Sequence, residues 1–236
     1  MTWRCSMSGI ERQELLGIYK DLRVADVRDG MDWMMMHDLG SMDPTIRPIW
    51  RTRAIGIART ARYLPFSGVI PKMNPDEYSE WQAWYYTNVC TYPWMDEIEP
   101  GDFIVIDQSE VNAGLCGSNN TLSAIKKGAR GFISNGGVRD TDEIIIQKIP
   151  FWAKICSQSM VQGRLQFDNQ NTPVCVGGII VNPGDIIVAD GDGVIVVPSQ
   201  FAKDVAIYAQ HELINDKITR RKLYEEMGWK LDETVR

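Results

Sequence analysis

The chain has 236 residues, 44% of them hydrophobic, and its 25 Lys and Arg against 31 Asp and Glu give a formal net charge of −6. This length and composition suit one domain with a well-buried core and exclude a disordered or collagen-like chain. Nucleic-acid binding depends on concentrated positive charge, so the acidic balance favours a small molecule as the partner. Because the sequence shows neither an apolar run of membrane-spanning length nor a signal-peptide pattern, we expect a soluble, cytoplasmic protein without a membrane partner.

Residues that form disulfides or bind zinc are few. The five cysteines are widely spaced, which favours reduced thiols over a disulfide framework. His37 and His211 are the two histidines, so one chain cannot supply a three-histidine zinc centre.

The first quarter of the chain is predicted to change from helix to strand. The pattern Ser8-Gly9-Ile10-Glu11 is typical of a capping box, and apolar residues at helical spacing predict a helix over about residues 9–22. The apolar cluster at 31–36 is rich in Met, as is common in protein cores. Residues 42–50 contain two prolines and predict a rigid loop, which leads into a strand around residues 54–60.

Two further features lie in the first half. The loop and the strand carry five arginines, which form either a solvated basic face or a surface from which one or two reach an anionic ligand. They are Arg47, Arg51, Arg53, Arg59 and Arg62. Aromatic residues at helical spacing between 77 and 92 predict a helix whose aromatic face lies in the core or in a subunit interface.

The second half is dominated by short β-branched runs bounded by Gly, Pro and Asp, a pattern typical of buried strands. The runs are 103–107, 131–134, 173–181, 185–190 and 194–198. Turn residues between the last three runs predict tight antiparallel connections. Helical patterns at 121–127 and about 199–228 complete a mixed α/β chain, and no flexible linker divides residues 1–236, so we expect a single domain.

The segment from 114 to 144 contains the residues best suited to chemistry. Gly114 and Gly117 lead into a helix whose first N–H groups, from about Ser118 to Thr121, form either an anion site or a capped helix start with no ligand.

Arg139 and Asp140 follow a strand and a glycine turn later in the same segment. Arginine pairs with carboxylates and Asp oxygen ligates Mg²⁺, so the pair suits an anionic substrate and a hard cation. Alternatively, Asp140 is a helix N-cap with Glu143 as its capping-box acid.

Four motifs occur in order along the chain: MDPTIRPIW, GDFIVID, GARGFISNGGVRDTDEI and TPVCVGGIIVNPGDIIVADGDGVIVVP. Together they resemble the RraA-like family, which contains the 4-hydroxy-4-methyl-2-oxoglutarate / 4-carboxy-4-hydroxy-2-oxoadipate aldolases and the regulators of ribonuclease activity. The resemblance runs from about Val24 to the C-terminal helix. It implies a compact α/β/α domain related to the swivelling phosphohistidine fold, assembled as a trimer or a dimer of trimers with active sites between subunits.

The resemblance also implies roles for individual residues. Arg139 corresponds to the arginine that binds a substrate carboxylate, and Asp140 to the aspartate that holds a divalent metal, Mg²⁺ or Mn²⁺. The loop that presents backbone N–H groups to the 2-oxo acid corresponds to Gly117, Ser118, Asn119 and Asn120. Because the noncatalytic regulators lack the metal-binding aspartate, Asp140 favours an enzyme.

The chain departs from the aldolase pattern at one position. In the aldolases an acid precedes the Arg-Asp pair with twenty residues between them, and Ser118 stands at that position here. A further family acid, contributed by a neighbouring subunit's C-terminal helix, corresponds to Asp216, with Glu212 as the alternative.

The sequence therefore predicts a divalent-metal-dependent carbon–carbon lyase, an aldolase or a decarboxylase of the oxaloacetate type. Its substrate would be a 2-oxo acid with additional carboxylates, cleaved through a metal-stabilised enolate, with Arg139, Asp140 and Asp216 as the catalytic residues. Two alternatives stay open: a noncatalytic regulatory or binding protein on the same scaffold, and a metal-dependent lyase or isomerase acting on a bulkier substrate.

Overall fold

The structure is a computed structural model and describes residues 9–236. Six α-helices are described: α1 Gly9–Tyr19, α2 Val24–Trp33, α3 Pro75–Asn88, α4 Ser118–Lys127, α5 Thr141–Ile146 and α6 Ala202–Glu226. Eleven strands are described: β1 Arg47–Pro48, β2 Ala54–Pro65, β3 Asp102–Asp107, β4 Gly114–Cys116, β5 Gly131–Val138, β6 Phe151–Cys156, β7 Leu165–Gln170, β8 Val174–Val176, β9 Ile179–Val181, β10 Ile186–Ala189 and β11 Val194–Val197.

Nine strands form one mixed sheet in the order β1-β6-β5-β3-β2-β10-β11, with β4 paired to β5 and β7 paired to β2. Strands β2, β3, β5 and β6 run parallel to one another, and β4 is parallel to β5. The pairings of β1 with β6, of β7 and β10 with β2, and of β10 with β11 are antiparallel. The remaining two strands, β8 and β9, form an antiparallel hairpin. The structure confirms the predicted α/β class. Because several parallel strands end at one edge of the sheet, the loops that follow them lie together there.

Both faces of the sheet are buried, which explains the nearly continuous apolar runs. In β3 the side chains alternate: Ile104 and Ile106 pack in the cluster with α3, α4 and α5, whereas Phe103 and Val105 pack in the cluster with β8 and β9. A third cluster joins α1, α2 and α6 to β2, β10 and β11. The helices therefore pack on one face of the sheet, and the β8–β9 hairpin covers part of the other face.

The run 173–181, predicted as one strand, is instead the β8–β9 hairpin. Gly177 and Gly178 lie at its centre with φ values of 58° and 76°. Two successive left-handed residues reverse the chain in a two-residue hairpin turn, and glycine tolerates this conformation without steric cost. Of the tight antiparallel connections predicted among the last three runs, the one between β10 and β11 is confirmed. The one between the run 173–181 and β10 is wrong, because β9 pairs with β8 in a separate sheet.

Helix ends differ from the predicted bounds at both termini. The first helix ends at Tyr19, and a second helix, α2, follows it. Ser8, the predicted cap, lies outside the described residues. At the other end Ser199–Phe201 form a turn of 3₁₀ helix, and α6 continues to Glu226. Strands β6 and β7 had no counterpart among the predicted runs. None of the helices within residues 9–236 combines the length and the apolar character needed to cross a membrane.

A buried carboxylate ties α1 to the sheet. Asp102, at the start of β3, is 1% exposed and accepts hydrogen bonds from Arg12 of α1 and Arg59 of β2. It also accepts the Glu99 backbone N–H at 2.8 Å. Two guanidinium partners satisfy a charge that would be costly to bury alone. Arg59, one of the five clustered arginines, therefore serves the fold.

We expect Asp102→Ala to lower the free energy of unfolding by about 3 kcal/mol, because it leaves two buried guanidinium groups without their shared carboxylate. The control is Asp168→Ala, which removes the more exposed partner of Arg62 and should cost less than about 1 kcal/mol. Urea denaturation of the two variants and the parent measures both values. Equal losses in the two variants would contradict a special role for Asp102.

Candidate active site

The candidate site lies where two strand-to-helix turns meet at one edge of the sheet. The β4–α4 turn contains Gly117 and the β5–α5 turn contains Arg139 and Asp140. Strand β4 pairs with the last residues of β5, with Gly114 opposite Gly137 and Cys116 near Val138. The Arg139 backbone N–H donates to the Cys116 carbonyl at 3.1 Å, which continues this pairing into the turn. The structure thus brings together the residues predicted at 117–120 and 139–140.

Asp140 is held by donors from both turns. Its Oδ2 accepts the Ser118 backbone N–H at 3.0 Å and the Ser118 hydroxyl at 3.3 Å, and its Oδ1 accepts Arg139 Nε at 3.1 Å. Burial by itself would raise the pKa of Asp140. The hydrogen bonds from Ser118 and Arg139, together with the Arg139 charge, outweigh burial and lower the pKa below its ordinary value. The carboxylate is therefore ionised at neutral pH.

The helix-cap alternative for Asp140 is confirmed for the position of the residue but not for its side chain. Asp140 is the N-cap residue of α5, but its side chain makes no capping hydrogen bond to that helix. Its backbone lies in the left-handed region, with φ 55° and ψ 43°. This conformation is uncommon outside glycine, asparagine and aspartate, and it turns the carboxylate toward α4 instead of α5.

Two glycines make this arrangement possible. A Cβ at Gly117 would lie 2.3 Å from Asp140 Oδ2, and a Cβ at Gly114 would lie 2.6 Å from Arg139 Cγ. Both distances are far below van der Waals contact. Any larger residue at either position would displace the functional side chain it faces.

The first turn of α4 adds backbone donors. Gly117 is the N-cap and has no side chain to cap the helix. The Ser118 N–H is used by Asp140, and the Thr121 N–H donates to the Gly117 carbonyl. Asn119 and Asn120 occupy the positions between them, where an α-helix supplies no acceptor of its own for the N–H group and its dipole favours negative charge.

A buried polar network links the strands that carry the site. Gln108, after β3, accepts the Ser134 hydroxyl at 2.6 Å and donates to the Ala113 carbonyl, just before β4, at 3.0 Å. Asn135 accepts the Gln108 backbone N–H and donates to Asp107, both at 2.7 Å. The network joins the end of β3, the irregular middle of β5 and the residue that leads into β4. Loss of one member would leave buried partners unsatisfied.

Sequence reasoning missed Gln108, Ser134 and Asn135. The available signal was the Ser134-Asn135 pair inside an otherwise apolar strand. Polar groups in a buried strand need partners, and such a pair indicates a hydrogen-bond network.

Two other side chains near this edge are poorly suited to catalysis, one because it is in an ion pair and the other because its thiol is not reactive. Lys154 Nζ lies 2.7 Å from Glu110 Oε1 in an ion pair. Cys116 is buried directly before the α4 turn, and burial raises the pKa of its thiol to about 12. A thiol with such a pKa is a poor nucleophile at neutral pH.

Asp216 lies elsewhere within the chain. It is on α6, where its Oδ2 accepts Arg23 at 2.9 Å and Arg220 at 3.0 Å. The Arg23 hydrogen bond is the main cause that lowers the pKa of Asp216. Glu212, the alternative, accepts the Trp33 indole N–H at 2.8 Å. No contact among the described residues joins either acid to Asp140, so the role of Asp216 in a neighbouring subunit's site stays a prediction.

The donor set fits a hydrated hard cation. Within residues 9–236 no group of three His, Cys, Asp or Glu side chains converges to hold a metal. Asp140 is ionised and its side chain is 32% exposed, so one carboxylate oxygen can reach an ion that keeps several waters. Mg²⁺ is commonly bound in this way, with one or two carboxylates and with substrate oxygens completing its shell.

Comparison with known proteins supports a family assignment. Residues 24–196 match the family model described as RraA-like, Aldolase/RraA. Protein DlpA of Legionella pneumophila is 27% identical over 163 residues, which cover 68% of this chain and 24% of DlpA. A Halalkalibacterium halodurans protein named "Putative 4-hydroxy-4-methyl-2-oxoglutarate aldolase" is 28% identical over 141 residues, which cover 59% of this chain and 67% of that protein. The chain thus spans about a quarter of DlpA.

A solved structure has the same fold. RraAS2 of Streptomyces coelicolor, described as an unusual member of the RNase ES inhibitor RraA protein family, superposes with a TM-score of 0.69 at 22% identity. The match covers 88% of this chain and 96% of RraAS2. Since the family model spans most of the chain and the fold agrees, this protein belongs to the RraA-like family.

Proposed function

We propose that this protein is a divalent-metal-dependent carbon–carbon lyase that acts on a 2-oxo acid with additional carboxylates. The observation that carries the proposal is the ionised Asp140 carboxylate, held between Arg139 and the first turn of α4. Relatives named as 4-hydroxy-4-methyl-2-oxoglutarate aldolases add support, at 28% identity over 141 residues and 29% over 109 residues. The cation would be Mg²⁺ or Mn²⁺ on Asp140, where it acts as a Lewis acid toward substrate oxygens.

Substrate binding follows from the charges around Asp140. Arg139 uses its Nε for Asp140, and the other nitrogens of its guanidinium remain as donors for a substrate carboxylate. The side chain is 35% exposed and can reach a ligand at the surface of the turn. The N–H groups in the first turn of α4 would face the 2-oxo oxygen, where negative charge develops during cleavage.

The two reactions of this class differ in whether they need a catalytic base. Aldol cleavage of a 4-hydroxy-2-oxo acid breaks the C3–C4 bond, and a base must take the proton of the C4 hydroxyl as C4 becomes a carbonyl. Decarboxylation of oxaloacetate breaks the corresponding bond and releases CO₂, so no hydroxyl proton is removed. In both cases the electron pair moves to C3 and the 2-oxo oxygen, and C3 is later protonated to give pyruvate.

The described residues favour decarboxylation as the activity of a single subunit's site. Asp140 is the one carboxylate in contact with the Arg139–Ser118 cluster among residues 9–236, and its proposed task is to hold the cation. Ser118 places a hydroxyl where the aldolases carry an acid, and a hydroxyl is a weak base. Aldol cleavage would need a base from elsewhere, such as Asp216 of a neighbouring copy.

Substitutions of Asp140 and of Arg139 are expected to have different effects on metal affinity and turnover. Asp140→Ala should lose both metal affinity and turnover, because it removes the only proposed carboxylate ligand. Arg139→Lys should still bind metal, but turnover should fall by about 10²-fold, or about 2.7 kcal/mol, because lysine lacks the planar fork. Calorimetric Mn²⁺ titration and metal-dependent pyruvate release after EDTA treatment measure the two effects.

Asp142→Ala is the matched control for these variants, since it removes an exposed carboxylate two residues away on α5. It should keep both metal binding and turnover. If Asp140→Ala binds metal like the parent, or if no metal-stimulated pyruvate release occurs with any 4-hydroxy-2-oxo diacid or oxaloacetate, the lyase proposal fails. A noncatalytic regulatory or binding role, or a lyase or isomerase reaction on a bulkier substrate, would then replace it.

Ser118→Asp tests the departure from the aldolase pattern. The change restores an acid at the position next to Asp140, so cleavage of a 4-hydroxy-2-oxo diacid should rise relative to oxaloacetate decarboxylation. Ser118→Asn is the control of similar size without the acid, and it should not raise cleavage. Coupled pyruvate assays on both substrates give the ratio. An unchanged ratio in Ser118→Asp would show that the missing acid does not limit aldol cleavage.

We also expect a homotrimer or a dimer of trimers. Helix α6 leaves Ile207, Ile214 and Ile218 at least half exposed, and Trp84 of α3 is 51% exposed. A monomer usually exposes less apolar surface to water than these side chains, aligned along one helix, would present. Light scattering at about micromolar concentration tests the expectation. A stable monomer under those conditions would contradict it.

A further inference from the structure

A cationic cavity lies at the end of the sheet opposite Asp140. It has a volume of about 340 Å³ and is lined by Lys20, Arg53 and Arg130, with Ala54 and Ile55 as its apolar floor. Lys20 follows α1, Arg53 directly precedes β2, and Arg130 directly precedes β5. Three separate segments of the chain therefore bring one positive charge each to the amino ends of two parallel strands.

The cavity is remote from the candidate active site. Arg130 and Arg139 stand at the two ends of β5, which has eight residues. At about 3.3 Å per residue, an extended strand of this length separates its ends by roughly 25 Å. A small ligand cannot contact both ends, so a molecule bound in the cavity would occupy a second site.

None of the three cations has a close carboxylate partner among the described residues. Arg53 donates to the backbone carbonyls of Lys20, at 3.0 Å, and of Leu22. Lys20 lies 3.9 Å from Asp21, at the outer limit of an ion pair, and both side chains are at least 70% exposed. The Arg130 side chain makes no hydrogen bond or ion pair with residues 9–236.

Other arginines of the chain behave differently. Arg12 and Arg59 share Asp102, and Arg62 pairs with Asp168. The cations that line this cavity thus lack a close carboxylate although the chain as a whole has a net charge of −6. Asp190, Asp21 and Asp26 attract Arg53 through space without forming an ion pair with it. Asp190 accepts the backbone N–H groups of Val24 and Asp192, and Asp26 pairs with Arg23.

An anion bound in this cavity would be attracted by cations from three separate segments. The two carbonyl contacts hold the Arg53 guanidinium in place before any ligand arrives, which lowers the entropy lost on binding. Lys20 and Arg130 are exposed and free to move toward a bound anion. Guanidinium and ammonium groups recognise phosphate and carboxylate oxygens through charge-assisted hydrogen bonds.

We propose that Lys20, Arg53 and Arg130 form a binding site for a small anion that carries two or more negative charges on phosphate or carboxylate groups. The cavity volume suits a compact ligand, since it lies at the small end of the range for ligand pockets. The acidic surface elsewhere disfavours a long polyanion, whose remaining charges would be repelled.

The test is calorimetric titration of the full chain with inorganic pyrophosphate and, separately, with citrate. The two probes distinguish a phosphate site from a carboxylate site. We expect one of them to bind with one-to-one stoichiometry, and the affinity to fall as ionic strength rises. The double variant Lys20→Gln/Arg130→Gln should weaken binding by at least about tenfold, because it removes two charge-assisted contacts.

Two controls make the result specific. Lys72→Gln/Lys222→Gln removes the same charge from exposed positions on other elements and should leave the affinity unchanged. Arg139→Gln should also leave it unchanged, because that side chain belongs to the candidate active site. Circular dichroism checks that each variant is folded.

The proposal is overturned if neither anion binds the parent chain, or if the Lys20→Gln/Arg130→Gln variant binds as the parent does. Loss of binding in Arg139→Gln would also overturn it, since the anion would then occupy the candidate active site. Binding is measured without turnover, so the result is independent of whether the protein is a lyase.

Discussion

The contact between the Asp140 carboxylate and the backbone of the β4–α4 turn is the constraint on which the candidate site depends. It requires a glycine at 117, because a Cβ would overlap Asp140 Oδ2, and it requires a left-handed backbone at Asp140. It also lowers the pKa of that carboxylate despite burial. One short-range contact therefore sets the position, the ionisation and the direction of the group that would hold a cation.

This contact exists because parallel strands end at a common edge. Strand β4 is only three residues long and pairs with the end of β5, so two turns that are far apart in the chain meet. The Gln108–Ser134–Asn135 network keeps the same edge in register. Where the backbone converges in this way, polar groups become buried. The network gives these groups hydrogen-bond partners from the protein itself.

Charge is divided between the two ends of β5. The carboxyl end carries a carboxylate that neighbouring N–H groups and an arginine keep ionised, whereas the amino end carries three cations without close carboxylate partners. Between these ends the strand is fully buried. Because the ends of a buried strand are rigidly spaced, the structure can hold an Arg–Asp pair at one end and a cluster of cations at the other without mutual neutralisation.

The sequence by itself determined the α/β class, most strands, the C-terminal helix and the family resemblance, because apolar periodicity, turn residues and ordered motifs are local properties. It also identified Arg139, Asp140 and the 117–120 loop as neighbours in function, through the resemblance. It did not reveal the polar network next to the site, or that Arg53 and Arg130 lack close acidic partners within residues 9–236. The Gly177–Gly178 hairpin was also missed, although Gly-Gly between two β-branched runs is a local signal for a two-residue turn. The polar network and the cationic cavity were decided only by tertiary structure, because they depend on which separate segments the sheet places side by side, and a local pattern carries no information about partners elsewhere in the chain.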